Sequence, residues 1–148
     1  MIVKPMIVMG IDPGTRVTGF GFIQNISQKL LHIHHGIITP NQDDPMTERL
    51  THIFYELDTL IKKFQHHTIV LEKIFFAKNP QSALTLGQAR GIALAAIGNN
   101  KIHLHEISAT KIKKTVTGYG RADKAQIQFM VSKLLNLADK PTPDAADA

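Results

Sequence analysis

Met6-Ile-Val-Met-Gly-Ile-Asp-Pro-Gly-Thr-Arg-Val-Thr-Gly-Phe-Gly-Phe-Ile23 reads as two strands joined by a tight turn, with one carboxylate, Asp12, closing the first. Met6 to Ile11 is an apolar run of strand length, and Pro13-Gly14 supplies the turn chemistry that ends it. Val17 to Ile23 is apolar again, with Gly19 and Gly21 marking places where another backbone comes close. A carboxylate at the end of a buried strand is costly unless a positive charge meets it. Asp12 is therefore the first functional candidate.

Outward from this hairpin, Leu30 to Thr39 reads as a third strand after a polar turn. Asp44-Pro45 has the composition of a helix start, Asp44 as cap and Pro45 at the first helical position. Met46, Leu50, Ile53, Leu57, Leu60, Ile61 and Phe64 then recur at intervals of mostly three and four, predicting an amphipathic helix. Thr68 to Lys73 has the character of a central strand with Glu72 near its end. Asn79-Pro80 opens a long helix to about Ile97, and Lys101 to Ile107 is a fifth strand. Ser108 caps a short helix through Val116, Gly118-Tyr-Gly120 is a loop, and a helix from about Ala122 to Leu135 turns Ile127, Met130, Val131, Leu134 and Leu135 inward. After the linker Lys140-Pro-Thr-Pro143, Asp144 to Ala148 reads as the first turn of a last helix.

The order β-β-β-α-β-α-β-α predicts an α/β fold, a mixed sheet with helices on its faces. With the meander on one side of the first strand and the crossover strands on the other, the spatial order is 3-2-1-4-5. Strands one and four are then parallel neighbours, and Asp12 and Glu72 lie side by side at their carboxyl ends, where open α/β sheets carry their sites. Asp144 and Asp147, three apart, share a helix face. Over the strand ends they would complete a set of four carboxylates. Like charges about 4 Å apart repel by roughly 4 kcal/mol per pair at a protein-surface dielectric. Such a cluster protonates or recruits hard cations, and oxygen ligands favour Mg²⁺ or Mn²⁺ over zinc. Two ions about 3.5–4 Å apart are the standard device for in-line attack on a phosphodiester. Taken singly, each acid also has a plain structural reading: Asp12 as a turn residue, Glu72 as half of a salt bridge, Asp144 as a cap.

The chain's 148 residues suit one domain, and its 43% apolar and 20% charged residues are ordinary for a globular protein. With no cysteine there are neither disulfides nor thiolate–zinc sites. Lys4, Pro5 and Asp12 interrupt the apolar N-terminus short of a signal or membrane segment, which points to a cytoplasmic protein with no membrane association. The net charge is +5, and Lys101, Lys111, Lys113, Lys114, Arg121 and Lys124 face only Glu106 and Asp123 in one short segment. A basic segment beside an acidic centre suggests a polyanionic substrate, although a charge run alone is more often a solvated face. His32-Ile-His-His35 and His103-Leu-His105 have ligand-like spacing, but their strands fall at opposite edges of the proposed sheet. Polar edge positions explain them better than a shared zinc.

Gly10-Ile-Asp-Pro-Gly-Thr-Arg-Val-Thr-Gly19, Glu72-Lys-Ile-Phe-Phe-Ala-Lys-Asn79, Ser82-Ala-Leu-Thr-Leu-Gly-Gln-Ala-Arg-Gly91 and Asp144-Ala-Ala-Asp-Ala148 occur in this order and together resemble the RuvC family of bacterial Holliday junction resolvases. The resemblance runs nearly the full length and implies a ribonuclease H-like fold, with residues 1–148 as a single nuclease domain. It implies a Mg²⁺-dependent endonuclease with two ions per subunit, Mn²⁺ being able to substitute, working as a homodimer on four-way junction DNA during recombination and repair. The family's metal-binding acids fall on Asp12, Glu72, Asp144 and Asp147. Its lysines fall on Lys113 and Lys124, which would stabilise phosphate charge and hold DNA. Its base-contacting aromatic falls on Phe75, while Phe76 is left to packing and Lys111 and Lys114 to solvent.

The resemblance also places the long helix, with Gly87 and Gly91, at the dimer contact, where the bland reading of that pair is tight packing on the sheet. Branch-migration machinery is implied as a partner. The family continues a full helix past Asp147, so a truncated C-terminal helix is expected here. Two alternatives share the opening hairpin: a YqgF-like RNA-processing nuclease, and a nucleotide-binding module of the actin or sugar-kinase type. The Glu72–Asn79 and Gly87–Gly91 motifs argue against the first. The second needs two such domains, and the chain has room for one.

Overall fold

Strand β1 (Met6–Asp12) pairs antiparallel with β2 (Thr18–Ile26), which pairs antiparallel with β3 (Lys29–Ile38). On its other side β1 runs parallel to β4 (Thr68–Lys73), and β4 parallel to β5 (His103–Ser108), so the sheet order is β3-β2-β1-β4-β5. The expected topology is the observed one. The computed structural model describes residues 5–64, 67–74 and 79–148.

Alternation along β1 divides the sheet into two unlike faces. Met9 and Ile11 point to one side with their ladder partners Phe22, Phe20, Ile69 and Leu71, all buried. Helices α1 (Met46–Lys63) and α2 (Pro80–Asn99) cover this face. Helix α1 buries Ile53, Leu57 and Ile61 at intervals of four, and α2 contributes Ala93, Ala96 and Ile97 to the same core. Each of the larger side chains contributes about 1.5–3 kcal/mol by leaving water. The start of α1 departs from expectation. Pro45 is itself the cap residue, with no side-chain cap bond, because the Asp44 carboxylate is held back by Asn41 Nδ2 at 3.3 Å within the preceding turn.

The other face carries Gly10 and Asp12, opposite Gly21 and Gly19, and is covered by shorter helices. These are α3 (Ala109–Thr117), α4 (Lys124–Leu134) and α5 (Pro143–Asp147). Ala122, Ile127 and Ala146 form a small second core with Val116 and Val131. Leu134, expected to point inward, is 48% exposed, since α4 ends on it and only Ile127 of that helix is fully buried. Between the sheet and α3–α4 lies a mostly apolar cavity of about 480 Å³ that opens on Asp12, Glu72 and Asp147. No helix among the described residues is long and apolar enough to cross a membrane.

Candidate active site

Asp12 and Glu72 follow Ile11 and Leu71, partners in the parallel β1–β4 ladder, so the two acids leave neighbouring strands side by side. The turn after Asp12 is tightly held. Thr18 is fully buried, and its hydroxyl donates to the Gly14 carbonyl at 2.8 Å while accepting from the Gly14 amide at 3.2 Å. A Cβ on Gly14 would run into the Val17 carbonyl, so the turn closes only over glycine. From α1, Arg49 donates to the Thr15 carbonyl at 2.8 Å and to Gln42 Oε1 at 2.9 Å.

The remaining acids arrive on α5, one turn long. Thr142 caps it by accepting from the Ala145 amide, Pro143 stands at its first position, and Ala145 and Ala146 are buried against the rest of the domain. The sheet accepts this helix at glycines: a Cβ on Gly10 would collide with the Ala148 carbonyl, and one on Gly19 with the Asp144 carbonyl. Those two glycines bring Asp144 and Asp147 over the strand ends.

The acids act on one another. The Asp12 carboxyl is pushed up from 3.8 to about 7, first by burial, then by Asp147, Asp144 and Glu72, with Lys124 opposing. Glu72 is raised by burial and Asp147 and lowered by Lys113. Burial and Asp144 also raise Asp147, against the pull of Lys124 and Lys113. The six residues singled out in the sequence, Asp12, Glu72, Asp144, Asp147, Lys113 and Lys124, thus share one electrostatic neighbourhood. Among the described residues, no three acidic or imidazole side chains stand close enough to hold an ion as they are arranged. The donor set is nonetheless all oxygen and short of positive charge. A hard divalent cation is the group that fits it.

Lys113 lies on α3, which begins at the Ser108 cap and ends at Gly118 in the left-handed conformation. Lys124 opens α4, whose start is fixed by a capping box between Asp123 and Gln126. Phe75, the expected base-contacting aromatic, and Phe76 lie outside the described residues. The histidine clusters occupy opposite sheet edges, as anticipated; His32 and His35 meet each other at 2.8 Å across a β-bulge.

Along α2 the plain reading of the glycine pair as tight packing on the sheet does not hold, because a Cβ on Gly87 or Gly91 would meet nothing within 4 Å among the described residues. Sequence reasoning also passed over two arginines. Arg49 holds the turn after Asp12, and Arg90 of α2 donates to the Glu72 carbonyl at 2.7 Å and pairs with Glu106. Their only signal in the sequence is an arginine on a helix that faces a sheet.

A five-stranded mixed sheet of this order, with acids at the carboxyl ends of its two central strands, defines a ribonuclease H-like protein. The family model for "Crossover junction endodeoxyribonuclease RuvC" matches residues 8–148, and the chain belongs to that family. It is 45% identical over 142 residues to the RuvC of Marinobacter nauticus, covering 96% of this chain and 81% of the relative. It is 46% identical over 142 residues to that of Haemophilus influenzae, covering 96% and 74%. Among solved structures, Thermus thermophilus RuvC in complex with a Holliday junction substrate superposes with a TM-score of 0.89 at 27% identity, over 97% of this chain and 88% of the other. The yeast mitochondrial Holliday junction resolvase, at 15% identity and a TM-score of 0.66, shares the fold. Against this family match the YqgF-like and nucleotide-binding alternatives give way.

Proposed function

We propose that residues 1–148 work as a single ribonuclease H-like endonuclease domain that resolves four-way Holliday junctions by symmetric phosphodiester hydrolysis, in the cytoplasm, during recombination and repair. The observation that carries this is the convergence of Asp12, Glu72, Asp144 and Asp147 at the strand ends with Lys113 and Lys124 beside them. Family membership and the junction-bound relative support the substrate.

Asp12, Glu72, Asp144 and Asp147 are the residues that would hold Mg²⁺, two ions per subunit, with Mn²⁺ as a substitute. Held by these carboxylates, the ions would supply the Lewis acidity that lowers the pKa of an attacking water and stabilises charge on the leaving oxygen. The chain's own groups prepare that chemistry. Burial and the neighbouring acids leave Asp12, Glu72 and Asp147 in need of positive charge, and a cation would bind their deprotonated form. Lys113 and Lys124, cations near the acids, stabilise charge on the attacked phosphate and hold the neighbouring backbone. Phe75, which follows Glu72 by three residues, contacts bases at the opened junction centre.

A two-fold homodimer presents two such sites to a two-fold substrate. The face of α2 with open Gly87 and Gly91, beside exposed Leu84 and Leu94, supports that contact. Branch-migration machinery is the partner that would deliver the junction.

The test is nicking of a synthetic four-way junction, compared with duplex DNA and an RNA–DNA hybrid, with Mg²⁺ and with chelator. Paired, symmetric nicks confined to the junction and dependent on the metal are expected. Equal cutting of the hybrid, or undiminished cutting in chelator, overturns the reading.

A further inference from the structure

Arg90 has no part in the chemistry above, yet it makes two cross-element contacts beside Glu72. Its Nη1 donates to the main-chain carbonyl of Glu72 at 2.7 Å, and its Nη2 pairs with the Glu106 carboxylate. The Arg90 side chain is 16% exposed, against 40% for Glu106. Glu106 lies beside Leu71 in the β4–β5 ladder, and Glu72 beside Ile107. One planar cation therefore ties α2, β4 and β5 together where β4 delivers its acid.

The bonded carbonyl belongs to Glu72 itself. Holding that carbonyl from α2, while the β4–β5 ladder runs on through Lys73, holds the Glu72 backbone in place and with it the direction of its Cα–Cβ bond. The strand end needs fixing, because the Glu72 carboxylate faces the negative charge of Asp147. Repulsion of that kind pushes Glu72 away from the cluster, on the side where the β1–β4 ladder ends at Leu71. A guanidinium reaches two acceptors at once in a rigid fork, whereas an ammonium offers a point charge on a flexible stem.

We infer that Arg90 is a positioning residue for Glu72, aiming the carboxylate at the metal-binding cluster from behind the strand. The inference rests on the reading of Glu72 as a metal ligand.

Its test is a Mg²⁺ titration of the intact chain followed by thermal unfolding, with junction nicking as a second readout. Arg90→Lys keeps the charge and loses the fork. It is expected to fold with wild-type circular dichroism but to need about tenfold more Mg²⁺ for the half-maximal rise in Tm, in line with other groups that orient metal ligands. Glu106→Gln, which leaves α2 and the core intact, loosens the same guanidinium and is expected to shift the Mg²⁺ requirement in the same direction by less. A lowered metal-free Tm with an unchanged Mg²⁺ requirement in both variants overturns the inference and makes Arg90 a plain structural tie. Wild-type chain that takes up Mg²⁺ without cutting junctions overturns the proposed function and leaves the Arg90 comparison standing. Wild-type chain with no response to Mg²⁺ overturns both.

Discussion

Gly19 lies beneath Asp144: a Cβ on that glycine would collide with the Asp144 main-chain carbonyl, while across the β1–β2 ladder the same glycine faces Asp12. The missing side chain is what lets a helix from the far end of the chain sit within reach of the first strand. Gly19→Ala is expected to lift α5 and to cost about 1–3 kcal/mol in denaturant unfolding, as overpacking does. Junction nicking should fall on the order of a hundredfold, because displacement near 1 Å is enough to spoil reacting geometry. Gly21→Ala is the control. Its Cβ would lie 3.9 Å from the Ala148 carbonyl carbon and 4.0 Å from His35 Cβ, ordinary contacts, so near wild-type nicking is expected.

Asp12 gives the metal-free protein an unusual dependence on pH. Its folded pKa, about 7, lies above the ordinary 3.8, so the folded state holds the proton more tightly than the unfolded chain does. The associated stability is complete below pH 3.8 and is lost as pH rises to about 7. Its size is on the order of 4 kcal/mol, at about 1.4 kcal/mol per pH unit. Glu72 and Asp147, raised by burial and neighbouring acids, act in the same direction. Urea unfolding in chelator should show stability declining between pH 4 and 7, and Asp12→Asn should flatten that decline and stabilise the neutral, metal-free chain. The same variant should abolish Mg²⁺-dependent nicking while junction binding stays measurable. Persistent cleavage by Asp12→Asn would sink the mechanism.

Lys124 is the cation that opposes the rise at Asp12. Lys124→Ala should therefore push the Asp12 carboxyl higher still, moving the lower end of the nicking–pH profile to higher pH at limiting Mg²⁺. Both Lys113→Ala and Lys124→Ala should lower the cutting rate by at least about tenfold while weakening the salt dependence of junction binding by roughly one phosphate contact each. A profile that does not move in Lys124→Ala would separate this lysine from the acids.

Arg49 secures the turn that follows Asp12 through the Thr15 carbonyl and Gln42. Among the described residues its Nε is buried without a partner, so the residue is held for its two Nη contacts rather than for full satisfaction. Arg49→Met, which keeps the stem and removes the donors, should cost about 1–3 kcal/mol by leaving the Thr15 carbonyl unpaired. Nicking should fall with a larger effect on the rate than on junction affinity, measured by single-turnover cleavage and by gel retardation.

On α2, Leu84 is 65% exposed near the bare Gly87–Gly91 face. Leu84→Glu should leave the fold intact, shift the sedimentation coefficient to that of a monomer, and uncouple the paired nicks. A dimer surviving this change places the subunit contact elsewhere.

The sheet was legible because its strands differ in kind. Thr68–Lys73 is a short apolar run bounded by polar residues, and Met6–Asp12 stops at Pro13-Gly14, so neither competes with a helix. Helix starts were legible at the side-chain caps Asn79 and Ser108, and illegible at Asp44, whose carboxylate finds Asn41 first; α4, expected from about Ala122, starts instead after its cap Asp123. Strand order alone paired Asp12 with Glu72, while Asp144 and Asp147 joined them only through a shared helix face that had to land over the strand ends and through the family resemblance. Arg90 and Arg49 could not be gathered at all, because a long side chain bonding a distant carbonyl leaves no periodic trace. Gly87 and Gly91 left two readings open for a related reason: a glycine that admits a neighbour and a glycine that faces open space read alike, and only the surroundings of the absent Cβ tell them apart.

The seating of α5 on Gly10 and Gly19 also sets the order in which the enzyme comes into being. Asp12 and Glu72 are joined by the ladder of two central strands, which the first half of the chain can build. Asp144 and Asp147 reach them only when residues at the opposite end dock on that finished surface. Closing so long a loop is the slow part of assembling such a fold. On the proposed function, a nascent or partly unfolded chain in which α5 has not yet docked carries only half of the proposed centre and is expected not to cut DNA.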